Sequence, residues 1–156
     1  MLKKILLIVV VMCLCMSGFA AEDIDAKVKK FVSEQVGKAP KIDAPTLKSW
    51  IEAKKSFLLL DVREPDEVTA GKIYADNVAY FPRGVIEFYF VKKYKDADQS
   101  IVVVCKSGAR GAIVTNRLLE LGYKNVVNLD KGVLAWLDAG CELENSLGYY
   151  KKFEFK

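Results

Sequence analysis

Along this chain the apolar positions alternate between short unbroken runs and stripes at helical spacing, and that alternation sets the fold class. Ile101-Val102-Val103-Val104 is a continuous β-branched run, the pattern of a strand buried on both faces. Behind it Ala112, Thr115, Leu118 and Leu119 recur at helical spacing while Asn116, Arg117 and Glu120 lie off the stripe, which predicts a helix over 111–121. Phe57 to Val62, Val78 to Phe81 and Val126 to Leu129 give further strands. Helical stripes are predicted for Glu22 to Gly37 (Ile24, Val28, Phe31, Val32), Thr46 to Lys55 (Leu47, Trp50, Ile51), Pro82 to about Tyr94, and Gly132 to Ala139 (Val133, Trp136, Leu137). Gly37, Gly122 and Gly140 stand where these helices should stop. In the 82–94 segment Ile86, Phe88, Tyr89, Phe90 and Val91 set apolar surface most of the way round, which reads as core packing. Lys38 to Pro45 reads as a polar linker, and the tail from Cys141 could pair as an edge strand, lie on the surface or fray. Buried strands separated by helices predict an α/β fold with a parallel sheet, whose chemistry sits in loops at the carboxyl ends of the strands.

Cys105-Lys106-Ser107-Gly108-Ala109-Arg110 is such a loop. Backbone N–H groups entering a helix have no intrahelical partner and carry the equivalent of about half a positive charge. Lys106 and Arg110 add full charges. A thiol held there is favoured as the thiolate, its nucleophilic form. A cysteine at a strand end can also be ordinary core packing.

Composition removes several chemistries. The 156-residue chain has no histidine, so Ser-His-Asp and Cys-His pairs are excluded and the commonest metal ligand is missing. Neither a Gly-x-Gly-x-x-Gly nor a Walker-type loop is present. Residues 1–20 read as a cleavable secretory signal: Lys3 and Lys4, an apolar run from Ile5 to Met16, then Ser17-Gly18-Phe19-Ala20. Its removal takes two lysines and no acid, lowering the formal charge from +4 to +2, no basis for nucleic-acid binding. Cys105 and Cys141 then remain, too few for a disulfide scaffold or a structural zinc site. The expectation is a secreted or periplasmic protein with no cofactor, no metal and no membrane association once the signal is cleaved.

Asp61-Val62-Arg63-Glu64, Glu67 with Gly71 and Ile73, Pro82-Arg83-Gly84, Val104 to Arg110, and Leu121-Gly122-Tyr123 with Gly132-Val133-Leu134-Ala135-Trp136 together resemble the rhodanese homology domain in order and approximate spacing. The resemblance spans about 45–140, leaving 21–44 as an N-terminal helix and linker and 141–156 as a tail. It implies a central parallel sheet of about five strands with helices on both faces. It also implies a sulfurtransferase that takes a sulfane sulfur from a donor such as thiosulfate, holds it on Cys105 as a persulfide, and passes it to cyanide or a thiol, including a protein thiol. Lys106 and Arg110 match the charged ends of the anion-cradling loop, and Ser107, Gly108 and Ala109 its middle. Asp61, with Arg63, is implied as a substrate-side pair that helps order the region. Two departures stand out: Lys72 occupies a position where the family often has histidine, and the segment between Gly71 and Pro82 is longer than usual. The Cys-x4-Arg spacing is one residue shorter than the Cys-x5-Arg cradle of cysteine phosphatases, which disfavours a tetrahedral phosphate. A sulfur carrier or binding module that keeps the fold without turnover is the alternative to an enzyme.

Overall fold

The computed structural model describes residues 23–151. The expected signal, residues 1–20, and the last aromatic residues of the tail, Phe153 and Phe155, lie outside them. The chain divides into two compact units, 1–31 and 32–156. Of the first, residues 23–31 are described, most of them opening helix α1 (Ile24–Lys38). The second unit contains the rest of α1 and every other described element.

A five-stranded sheet is the centre of the second unit. Its strands are β1 (Lys41–Ile42), β2 (Leu58–Asp61), β3 (Val78–Tyr80), β4 (Ser100–Val104) and β5 (Asn125–Leu129). They are all parallel, in the order β1-β5-β4-β2-β3. Alternate residues of each strand face opposite ways, so the unbroken apolar runs feed two cores. Leu59, Val102, Val104 and Leu129 pack on one face, beneath α2 (Ala44–Glu52) and α6 (Gly132–Asp138). Leu58, Leu60, Ile101 and Val103 pack on the other, beneath α5 (Ala109–Glu120) and the 83–93 segment. Helices therefore cover both faces, as expected.

Several boundaries depart from the sequence reading. Helix α2 starts at Ala44 instead of Thr46, because the Asp43 carboxylate caps it by accepting the Thr46 N–H at 2.8 Å, and Pro45 is well tolerated in a first turn that needs no N–H. The linker before it contains the edge strand β1. Helix α3 (Pro65–Ala70) was not foreseen; a capping box between Glu64 and Glu67 and the proline at its start form it. The 82–94 segment is not one regular helix. It runs as a 3₁₀ turn (Arg83–Val85), a π-helical turn (Ile86–Phe90) and α4 (Val91–Lys93). Ile86 and Phe90 point into the core, whereas Phe88 and Tyr89 are exposed, so only part of that aromatic run is core. The tail forms a hairpin, β6 (Leu143–Asn145) with β7 (Gly148–Tyr150). Glu144 exchanges backbone hydrogen bonds with Lys72, so the lengthened connection after Gly71 is met by the tail.

Candidate active site

The site lies where β4 ends. Residues 105–108 form the loop and α5 begins at Ala109, two residues earlier than the apolar stripe suggested. The reason is Gly108, whose φ of 90° turns the chain into the helix, a conformation that favours glycine. The turn is tight enough to bring two backbone donors onto the thiol. The N–H of Gly108 donates to Cys105 Sγ at 3.1 Å and that of Gly111 at 3.3 Å. Both bonds favour negative charge on sulfur, and they come from the first turn of a 12-residue helix.

The loop is held from behind by α6. The N–H groups of Val133 and Leu134 donate to the carbonyls of Cys105 and Lys106 at 2.9 and 3.1 Å. Gly132 permits this approach, since a Cβ there would land on the Cys105 carbonyl oxygen. The otherwise unpartnered donors of one helix N-terminus thus fix the backbone that the donors of another surround. From β5, Asn128 Nδ2 donates to the Gly108 carbonyl at 3.0 Å.

The charged residues expected around the thiol do different things. Lys106 and Ser107 are exposed at the loop surface, and no ion pair engages Lys106 among the described residues. Arg110 forms a two-pronged pair with Glu67, at 2.6 and 2.7 Å. Its hydrogen bonds to Glu67 raise the guanidinium pKa above its ordinary value, and the field of Cys105 adds to that in smaller part. Arg110 is thus within electrostatic reach of the sulfur while its fork is committed to α3. The Glu67 carboxyl is held down to about 2, first by Arg110 and with help from the Glu64 N–H.

Asp61 and Arg63 form a buried pair. The Arg63 Nε and Nη2 donate to the Asp61 carboxylate at 2.9 and 2.5 Å, and Nη1 and Nη2 donate to the carbonyls of Glu67 and Gly71. Every prong of that guanidinium is used inside the protein, and the pair orders α3 and the turn after it. Since α3 carries Glu67, the chain of contacts runs Asp61, Arg63, Glu67, Arg110, loop. The sequence reading placed Cys105 to Arg110 in one loop, whereas Ala109 and Arg110 stand in the first turn of α5. It had no role for Glu67, Gly111, Asn128 or Gly132, although the lone polar residue in Val126-Val127-Asn128-Leu129 was a visible signal.

A cysteine sulfur receiving two backbone N–H groups at the carboxyl edge of a parallel α/β sheet defines a cysteine-loop site whose donors could hold an anion. The family described as rhodanese-like domain matches residues 43–139. The chain belongs to this family. A sulfurtransferase of Allochromatium vinosum is 32% identical over 99 residues, 64% of this chain and 89% of that protein. A mitochondrial Schizosaccharomyces pombe protein with a provisional thiosulfate sulfurtransferase name is 37% identical over 95 residues, 54% of this chain and 66% of its own length. Among solved structures, the polysulfide-sulfur transferase homodimer of Wolinella succinogenes aligns with a TM-score of 0.67 at 28% identity, over 79% of this chain and 90% of that one. The chain spans only 26% of a longer Mycobacterium tuberculosis relative. Sulfur transfer is the chemistry common to the names of these relatives.

Proposed function

We propose that this protein is a sulfurtransferase that carries a sulfane sulfur on Cys105 as a persulfide. The observation that carries the reading is the pair of glycine N–H groups on Sγ, a fixed cradle for a sulfur anion that needs no histidine to activate it. The proposed donor is thiosulfate. The Cys105 thiolate attacks its outer sulfur, a new S–S bond forms, and the old one breaks with its electron pair leaving on sulfite. In the second half-reaction cyanide or a thiolate attacks the outer sulfur of the persulfide, taking it as thiocyanate or a new persulfide and returning Cys105 as thiolate. The loop N–H groups stabilise the sulfur anion at both stages, and Arg110 contributes its field. Ping-pong kinetics follow from the covalent intermediate.

The test is intact mass spectrometry with and without thiosulfate. A gain of one sulfur atom, removed by cyanide and absent from Cys105→Ser, is expected; Cys105→Ser should keep the fold, since hydroxyl and thiol differ little in volume. Uptake by Cys105→Ser at the wild-type level would refute the assignment, and parallel double-reciprocal lines in steady state would separate turnover from a single loading. We also infer export by way of the segment 1–20. N-terminal sequencing of the protein from an exporting host, expected to start after Ala20, checks it.

A further inference from the structure

We propose that Asn128 is a positioning residue for sulfur transfer, one that keeps the donors of the loop on the cysteine sulfur. This rests on Cys105 being the sulfur acceptor. Asn128 is 1% exposed and sits on β5, beside β4, in a run that is otherwise apolar. The carbonyl of Gly108 already accepts the N–H of Ala112 at 2.9 Å, the opening bond of α5, so the helix alone satisfies it. The Asn128 amide adds a second bond to that oxygen, from the neighbouring strand. Its effect is to tether the one loop residue in a left-handed conformation, whose own N–H is the nearer donor to Sγ.

The other end of the same amide is informative. Asn128 Oδ1 is buried without a hydrogen-bond partner among the described residues. Flipping the amide would set an oxygen against the Gly108 carbonyl, so Nδ2 must face that way. Oδ1 is left facing Gly111, the second donor to sulfur: a Cβ at Gly111 would land on Oδ1 and lie 3.7 Å from Cys105 Sγ. One side chain therefore braces both glycines whose N–H groups reach the thiol. An unsatisfied buried acceptor works against stability, and a branched apolar residue would suit the strand better. The position makes sense for what it does to the loop.

The experiment compares wild type with Asn128→Ser, and with Asn128→Thr, a better strand former, should the serine variant fail to fold. Alkylation by iodoacetamide is followed at the Cys105 peptide across pH, which requires no sulfur donor. Single-turnover loading from thiosulfate and thermal midpoints are measured alongside. Loading should slow about tenfold, the size expected when one donor to a charged sulfur is misplaced, and alkylation of Cys105 near neutral pH should slow with it. Loading at the wild-type rate overturns the proposal, as does an unchanged alkylation rate, which would make Asn128 merely structural or place it on the donor side. Should wild type itself take up no sulfur, the sulfurtransferase reading falls, and the alkylation profiles still decide whether Asn128 positions the thiol's donors.

Discussion

At the scale of single residues, the site is a relay of charge pairs that ends at Arg110, in the first turn of the helix that follows the cysteine loop. Glu67 is its pivot, because it faces Arg110 with its carboxylate, caps α3 through the Glu64 N–H, and gives its carbonyl to Arg63. Its carboxyl titrates at about 2, below the ordinary 4.5. A folded value below the unfolded one means that the pair's contribution is fully present above the unfolded value and is lost as pH falls from 4.5 towards 2. Glu67→Gln should therefore destabilise the protein at neutral pH by about 1 kcal/mol, an amount typical of a partly exposed pair with good geometry. Urea titrations at a series of pH values check this: the gap between variant and wild type should close as pH approaches 2, and a constant gap would mean that the charge is not what matters. For the buried Asp61–Arg63 pair the stakes are higher, since removing one partner of such a pair typically costs about 3–5 kcal/mol.

Among the elements, the decisive contact is that between the start of α6 and the cysteine loop. Gly132 has φ of 61° and no room for a Cβ. Gly132→Ala should cost about 1–2 kcal/mol for the left-handed backbone alone, and displacing the Cys105 carbonyl should reduce sulfur loading even well below the melting temperature. Thermal melts paired with loaded fractions at low temperature test it; normal loading would separate the loop from α6. This contact could not be read from the sequence, because it joins backbone atoms of segments far apart in the chain. What the sequence did carry was periodicity: β4, α5 and β2 are long or strongly apolar and stood out. β1 has two residues in a proline-bearing stretch, too short for any period, and α3 has six with no apolar stripe, so only its Glu64 to Glu67 spacing announced it. The cysteine loop was legible because strand, small residues and helix are contiguous. Arg110's partner lies 43 residues away, and a charge alone does not say which opposite charge it will meet.

For the whole molecule, the sheet divides the two described cysteines. Cys105 belongs to the core on one face, with Leu58 and Val103, and Cys141 to the core on the other, with Trp136 and Leu143; both are free thiols. Burial pushes the Cys141 thiol up, which keeps it protonated and unreactive. Cys141→Ser should leave sulfur loading unchanged, and non-reducing peptide mapping should find no bond between the two; a joined pair would require the sheet to open. The order in which the chain is made has its own consequence for the cysteine loop. Residues 105–108 emerge before the groups that shape them, Asn128 on β5 and the N–H groups of Val133 and Leu134 on α6, and β5 in turn pairs with β1 from the chain's first third. Such pairings between distant segments form late. Until the final quarter of the chain arrives the thiol has no finished cradle, so under the proposed sulfur transfer a growing or unfolded chain should not load sulfur, and completing the fold is what would allow it.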